Sequence, residues 1–353
     1  MAEKKRRNWI LLGAAAFVVY LFTASSPIES ETVLEPIWLK YTAEATNDPA
    51  AAGDLIPFRT NRHFGYFDVE GRLSVVRAAT GRYALSPFAW TEFPAIPASL
   101  DIRSPRDEAI LRTEERGYPF FSDNRVFMIG SEQNSITALN ETGAARWKRD
   151  FPSPITCADA AAGLLLVGML DGSVELLNEA GSRVFAFDPG GSRIPVIVAA
   201  KLSRDGRRIA LIAGIDLQRF LLLERSGTSY KVSHHEYLEK GFRRAVKIAF
   251  VDGERRVVFE REGALGVYDI RSGKSWRTPL GGDLVALEDS GTDGKLFLIL
   301  VAGNRKELVG LRLPSDIYMR APYRSGSTFI ARLGERLYLG GNDAIAAFDI
   351  ATR

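Results

Sequence analysis

The fold is decided by a short phrase that the chain repeats, best seen at Ile136–Gly143, where the sequence is ITALNETG. A strand of β-branched and aliphatic residues runs into a polar turn that ends in glycine. Related phrases end at positions 81, 143, 181, 227, 273, 315 and 353, with spacings of 62, 38, 46, 46, 42 and 38 residues. Strand units that recur at such a period indicate sheets repeated around an axis.

This pattern predicts an all-β fold, a β-propeller of four-stranded blades over residues 61–353. Blades of this kind take about 40 to 45 residues, and five of the six spacings are close to that length. The long first interval is either an insertion around residues 87–117 or a degenerate extra blade, so the pattern predicts seven or eight blades. Two stacked β-sandwiches are the other all-β arrangement that the strand pattern allows.

The last repeat reaches its third strand at Arg353, so its fourth strand has to come from another part of the chain. Residues 27–60 contain four prolines and are predicted to be a linker, but Ile37–Tyr41 within them is apolar enough to form a strand. We expect this strand to close the ring as the outer strand of the last blade. Pro36, directly before it, suits an edge position.

The N-terminus combines a basic cluster with an apolar run. Residues 1–8 hold four basic residues and one acidic residue, and residues 9–24 carry no charge. This predicts one N-terminal hydrophobic helix over residues 9–26, which is either a transmembrane anchor or a cleaved signal segment. Basic residues stay in the cytoplasm, so residues 1–8 are a cytoplasmic tail. In a bacterial cell we expect a single-pass inner-membrane protein with a periplasmic propeller, or a propeller secreted to the periplasm after cleavage.

Composition excludes several kinds of site. Residues 9–353 hold 42 basic and 42 acidic residues, so the body of the chain has no general charge attraction for nucleic acid. Cys157 is the single cysteine, which excludes a disulfide framework and multi-cysteine metal sites. His234–Glu236 lies in a predicted strand, where adjacent side chains point to opposite faces and do not converge on a metal. We therefore expect no cofactor, no metal and no catalytic residue.

Two phrases resemble the repeats of PQQ-like propellers. They are Ile136–Gly143 followed by Trp147, and Leu265–Gly273 followed by Trp276. The resemblance implies that these two tryptophans pack between neighbouring blades, and Phe185 stands at the equivalent offset in a third unit.

Other units, such as the one around Ser203–Gly206, resemble WD40-type blades. Among exported proteins, the chain is similar to the propeller subunit of the outer-membrane β-barrel assembly machinery. That resemblance implies a non-catalytic scaffold.

Aromatic residues concentrate in the proline-rich stretch that interrupts the blade spacing. Loops on a rigid scaffold often carry recognition, and the candidate contacts for a partner are Phe88, Trp90, Phe93, Tyr118, Phe120 and Phe121. The alternative is that these rings pack between blades.

The function predicted from the sequence is that of a membrane-tethered envelope scaffold, not an enzyme, that binds other proteins in envelope or outer-membrane protein assembly. A carbohydrate- or peptidoglycan-binding propeller is the second hypothesis. A quinoprotein-type enzyme is the third, and the single cysteine argues against it because such enzymes often use a vicinal cysteine pair.

Overall fold

The computed structural model describes residues 32–43, 45–94, 99–239, 241–323, 326 and 328–352, together with Phe17 and Tyr20. Within these ranges the chain forms antiparallel strands in eight sheets, which are the blades of a propeller. The predicted all-β propeller is confirmed, and the number of blades is eight. The helix predicted over residues 9–26 lies outside the described residues except at Phe17 and Tyr20. No helix within the described ranges is long and apolar enough to cross a membrane.

The first strand, β1 (Thr32–Tyr41), precedes the blades, and the next fifteen strands form blades 1 to 4 in chain order. Blade 1 contains β2 (Ile56–Arg59), β3 (His63–Phe67) and β4 (Leu73–Ala78). Blade 2 contains β5 (Arg82–Leu85), β6 (Trp90–Phe93), β7 (Leu100–Arg103) and β8 (Ala109–Thr113). Blade 3 contains β9 (Tyr118–Ser122), β10 (Arg125–Ile129), β11 (Ser135–Leu139) and β12 (Ala145–Asp150). Blade 4 contains β13 (Ile155–Ala161), β14 (Leu164–Met169), β15 (Val174–Leu177) and β16 (Arg183–Phe187).

The remaining strands form blades 5 to 8. Blade 5 contains β17 (Ile197–Leu202), β18 (Arg208–Ala213), β19 (Arg219–Ser226) and β20 (Ser229–Tyr237). Blade 6 contains β21 (Ile248–Val251), β22 (Arg256–Arg261), β23 (Ala264–Asp269) and β24 (Lys274–Pro279). Blade 7 contains β25 (Asp283–Glu288), β26 (Lys295–Ala302), β27 (Arg305–Arg312) and β28 (Asp316–Tyr323). Blade 8 contains β29 (Thr328–Leu333), β30 (Arg336–Gly341), β31 (Ala344–Thr352) and, as its outer strand, β1.

The N-terminal strand completes the last blade. β1 pairs antiparallel with β31 from Thr32 opposite Thr352 to Tyr41 opposite Ala344. It starts five residues before the predicted strand at 37–41, because a bulge between Pro36 and Trp38 lets the strand continue past the proline.

The long first interval is the extra blade, one of the two predicted alternatives: residues 82–113 form blade 2 and are not an insertion. Its turn after the third strand has Asp107 rather than glycine at the position of positive φ, so it lacks the glycine that ends most copies of the repeated phrase. One predicted boundary is wrong. The propeller begins with β2 at Ile56, inside the stretch predicted as a linker. Pro57 suggested a linker there, but β2 is a terminal strand of its three-stranded sheet, where proline is tolerated.

Apolar packing lies between blades. Each of the eight buried clusters in the described part of the chain draws its residues from two neighbouring blades, and together they cover all eight junctions of the ring. The junction that joins the two ends of the ring includes Phe58 and Phe67 of blade 1 with Phe329 and Tyr338 of blade 8. Because no single sheet covers its own apolar face, this arrangement favours closure of the ring.

The turn of the repeated phrase has a clear physical basis. In blade 3 the Asn140 Oδ1 accepts hydrogen bonds from the backbone N–H groups of Thr142 and Ala144, both at 3.0 Å. Gly143 then adopts a φ of +85°, which L residues with a side chain rarely reach. The Asn-x-x-Gly sequence therefore fixes the turn between the third and fourth strands.

Candidate functional site

Strand direction sorts the loops onto two ends of the propeller. The turns between the second and third strands of each blade lie at the same end as the links from one blade to the next, because successive strands run in opposite directions. We call this the link end. The turns after the first and third strands lie at the opposite end.

The link between blades 4 and 5, residues 188–196, is held by one carboxylate. Asp216, in the β18–β19 turn, accepts a hydrogen bond from the Ser192 hydroxyl and one from the Arg193 Nε at 3.2 Å. The backbone N–H groups of Arg193 and Ile194 also point to it, at 3.3 and 3.4 Å. The hydrogen bond from Ser192, followed by those from Arg193, holds the pKa of Asp216 below its usual range. The carboxylate is thus charged at neutral pH, and its hydrogen bonds anchor the link to the β18–β19 turn.

This link presents apolar side chains to solvent. Ile194 and Leu217, on either side of the Asp216 network, are each about half exposed, and so is Leu170 in the β14–β15 turn. That turn touches the same link, because a Cβ on Gly172 would lie 1.7 Å from the Pro195 carbonyl oxygen.

A basic and an aromatic residue extend the same surface. The Arg193 side chain is almost fully exposed beside Ile194. Tyr237, at the link end of β20, is about half exposed, and the Arg219 guanidinium lies 5.5 Å from its ring centroid. Arg219 also donates to the Pro189 carbonyl oxygen at 2.8 Å, which ties Tyr237 to the link. We call Leu170, Arg193, Ile194, Leu217 and Tyr237 the blade 4–5 surface.

The chemistry of this surface favours binding. Arginine and tyrosine are enriched at protein interfaces, and the exposed aliphatic side chains around them add apolar contact area. The carboxylate in this network, Asp216, already accepts hydrogen bonds from Ser192, Arg193 and Ile194.

Charged residues gather at the other end, around the axis. The Lys201 Nζ lies 2.9 Å from Asp159, and the Arg204 N–H donates to Glu254 at 2.7 Å. Asp289 lies beside them in a cavity of about 290 Å³. Desolvation in this cavity raises the pKa of Asp289, and the positive charges of Lys201 and Arg204 act in the opposite direction. Asp159 and Glu254 thus accept hydrogen bonds from the neighbouring blade.

No group of three or more metal-ligating side chains occurs in the part of the chain that the structure describes. His234 and Glu236 share one face of β20, where His234 stacks on Tyr268 and Glu236 pairs with Arg261 at 3.0 Å. Cys157 packs against the core between blades 4 and 5, and burial raises the pKa of its thiol to about 12. Its thiol is therefore protonated and unreactive at neutral pH.

The aromatic residues predicted as partner contacts divide among three cores. Phe88, Phe93 and Phe121 pack in the core between blades 2 and 3. Phe120 packs between blades 3 and 4, and Trp90 is buried between blades 1 and 2. Tyr118, in β9, is partly buried. The structure does not bring these six rings together on one surface.

The three residues predicted to pack between blades occupy the same position in their outer strands. Trp147, Phe185 and Trp276 stand opposite Ala138, Leu176 and Val267 of the preceding strands, and each lies at a core shared by two blades.

Contacts of Trp147 and Phe185 reach the next blade directly. The Trp147 Nε1 donates to the Glu179 carbonyl oxygen in blade 4 at 2.9 Å, and the Phe185 ring lies 5.1 Å from Tyr230 in blade 5.

The sequence did not reveal the blade 4–5 surface. The glycines at 190 and 191 mark residues 188–196 as a loop, but the partner that the Ile194 N–H contacts, Asp216, lies 22 residues away. The signal that the sequence carries is a polar residue in a tight turn opposite a long link, and it is a weak one.

Comparisons with known proteins agree with the architecture. A family model described as "beta-propeller protein" matches residues 1–353. An uncharacterized protein of Treponema pallidum (strain Nichols) is 26% identical over 337 residues, which are 92% of this chain and 88% of that protein.

Two solved structures illustrate the likeness of the fold. BamB from Moraxella catarrhalis, itself a propeller, has a TM-score of 0.63 at 13% identity over 90% of this chain and 100% of its own. A chain of the mitotic checkpoint complex has a TM-score of 0.55 at 10% identity over 92% of this chain and 95% of its own. The match of the family model over the whole length shows that this chain belongs to the beta-propeller protein family.

Proposed function

We propose that the chain is a membrane-tethered β-propeller that binds other envelope proteins as a non-catalytic scaffold. The observation that carries this proposal is the blade 4–5 surface, where a carboxylate network fixes Arg193 and Ile194 in exposed positions. A loop ordered before binding loses little conformational entropy when a partner docks, which improves affinity.

The partner class follows from the side chains. Ile194, Leu217 and Leu170 offer apolar contact area, and Arg193 and Tyr237 add groups that can both pack and donate hydrogen bonds. This combination suits a protein surface with a complementary apolar patch and an acidic group opposite Arg193. A sugar ligand would need exposed aromatic rings among amide and carboxylate side chains, and five of the six candidate rings pack in cores instead.

The comparisons support a binding role. The likeness to BamB and to a chain of the mitotic checkpoint complex concerns the fold, and propellers of this kind typically mediate protein–protein interaction. The resemblance of the repeats to the propeller subunit of the β-barrel assembly machinery suggests that the partner belongs to envelope or outer-membrane protein assembly.

The N-terminal sequence supports the location. Four basic residues followed by sixteen uncharged residues favour a segment that enters the inner membrane with its basic end in the cytoplasm. The propeller then lies on the periplasmic side, tethered by residues 9–26.

Co-purification from detergent-solubilised membranes tests the proposal. Leu217→Asp places a charge in the blade 4–5 surface, and loss of one such hot-spot contact costs at least about 2 kcal/mol, or about 30-fold in affinity. Val184→Asp is the matched control, because Val184 is 44% exposed and Leu217 54%, and Val184 lies on the outer strand of blade 4. We expect the envelope protein that co-purifies with the wild type to be lost with Leu217→Asp and retained with Val184→Asp. Equal recovery with both variants would contradict the proposed surface.

A further inference from the structure

A second exposed apolar feature lies at the rim, between blades 7 and 8. A groove of about 600 Å³ runs between the outer strands of the two blades, lined by residues of β1, β27, β28, β30 and β31. Leu34, Leu39 and Phe348 form one wall, and Leu308 and Met319 lie on the opposite wall. None of the lining residues is charged.

Two hydroxyl groups are the polar side-chain groups of the lining. Thr32 and Tyr318 belong to it, and their hydroxyl oxygens are buried with no hydrogen-bond partner among the described residues. Neither hydroxyl oxygen is exposed to solvent, so the accessible surface of the groove is essentially apolar and carries no charge.

The strand beside the groove is also unusually apolar on its exposed side. Ile37, Leu39 and Tyr41 of β1 are all large and exposed, and β1 is the free outer edge of blade 8. Among the described outer strands, β1 carries the most exposed large apolar residues. Aliphatic residues with a tyrosine are suited to the boundary between lipid tails and water.

The position of the groove along the chain indicates what covers it. Thr32, Val33 and Leu34 line the groove, and the uncharged run of the N-terminus ends at Ala24. The seven intervening residues span at most about 25 Å when fully extended. If residues 9–26 are in the bilayer, as the proposed function states, this rim stays near the membrane surface.

We propose that the groove between blades 7 and 8 holds an acyl chain of a membrane lipid, so that the rim carrying β1 rests on the bilayer. This inference rests on the proposed membrane anchor. It gives the propeller a fixed orientation, because blade 4 is then the blade farthest around the ring from the bilayer. The blade 4–5 surface is thereby kept accessible to proteins.

The test uses the full chain in vesicles of phosphatidylethanolamine and phosphatidylglycerol that contain a lipid with a nitroxide on its acyl chain. A fluorophore is attached at Leu39→Cys in the groove or at Val184→Cys on the opposite blade. The native Cys157 stays unlabelled because burial raises the pKa of its thiol to about 12. The wild-type chain, treated with the same fluorophore, gives the background fluorescence from any labelling of Cys157.

We expect the nitroxide lipid to quench the fluorophore at Leu39→Cys several-fold more strongly than at Val184→Cys. Ala346→Phe, which fills the groove lining, is expected to reduce this quenching, with retained protease resistance as the check of folding. Equal quenching at the two positions, in chains that float with the vesicles, would overturn the lipid site and leave the anchor intact. Chains that do not float would overturn the anchor and the lipid site together.

Discussion

Trp38 donates its indole Nε1 hydrogen to the Val69 carbonyl oxygen at 3.2 Å, and this bond joins the N-terminal strand to the first blade. The Arg336 guanidinium of blade 8 donates to the same oxygen at 3.1 Å. The Trp38 ring also lies 5.9 Å from Phe67 and 6.0 Å from Tyr338. One side chain thus connects β1, the first blade and the last blade.

We predict that Trp38→Ala lowers the free energy of unfolding by about 3 kcal/mol, because it removes a large ring from the closing core. Tyr41→Ala, in the exposed part of the same strand, should change it by no more than about 0.5 kcal/mol. Chemical denaturation of the two variants measures the difference. Similar losses for both would show that the strand closes the ring without help from the tryptophan.

Gly143 tests the assignment of residues 82–113 as a blade. Its φ is +85°, and an added Cβ would lie 1.8 Å from the carbonyl oxygen of Arg112 in blade 2. We predict that Gly143→Ala costs about 3 kcal/mol, because backbone strain adds to a clash that only a shift of blade 2 relieves.

The control for this variant is Gly227→Ala. Gly227 has a φ of +64°, but no atom lies within 4 Å of an added Cβ, so the expected cost is about 1 kcal/mol of backbone strain. Thermal unfolding of both variants gives the comparison. Equal costs would mean that blade 2 does not pack against the turn of blade 3.

How much of the fold the sequence predicts depends on the turn of each repeat. The phrase at Ile136–Gly143 is legible because its turn needs Asn140 and Gly143. In blade 2 the residue with positive φ in the corresponding turn is Asp107, not glycine, so the sequence predicts this blade only as one of two alternatives. The core contacts that define a blade come from its neighbours, which a single repeat does not reveal.

The binding surface was less predictable than the fold. Aromatic residues such as Trp90 stand out in a sequence, but in a propeller most large rings fill the cores between blades. Ile194 and Leu217 look like ordinary apolar residues in the sequence. They come together because hydrogen bonds to Asp216 join two loops that are distant along the chain.

Glu288 gives a pH-dependent prediction. This side chain is 4% exposed, and its Oε2 has no hydrogen-bond partner among the described residues. Burial raises the pKa of Glu288 above its ordinary value, so the folded state binds this proton more tightly than the unfolded state does. The stabilisation from this preference is present at acidic pH and is lost as the pH rises through the folded-state pKa.

We therefore predict that Glu288→Gln raises the free energy of unfolding by about 1 kcal/mol at neutral pH, because it removes the buried charge. The gain should disappear toward about pH 4, where the unfolded carboxyl also binds its proton. Denaturation curves at several pH values measure this trend. A gain that does not change with pH would show that ionisation of Glu288 plays no part.

Asp293 should show the opposite dependence. It pairs with the buried Arg332 through two hydrogen bonds of 2.9 Å between blades 7 and 8. Burial alone would raise the pKa of Asp293, but the hydrogen bonds from Arg332 bring it below the ordinary value. Its stabilising contribution is thus present at neutral pH and is lost as the pH falls through the folded-state pKa.

We predict that Asp293→Asn lowers the free energy of unfolding by about 2 kcal/mol at neutral pH. The loss should shrink in acid, where the wild-type carboxyl also becomes neutral. The same denaturation series measures it, and a loss that grows in acid would contradict the role given to the ion pair.

We propose that the blade 4–5 surface binds an envelope protein. The most direct measurement places a photo-crosslinking residue at Leu217, or at Val184 as the control, and irradiates intact cells that make the protein. We predict that Leu217 captures one envelope protein as a discrete adduct and that Val184 does not. Adducts of equal yield at both positions, or none at Leu217, would contradict it.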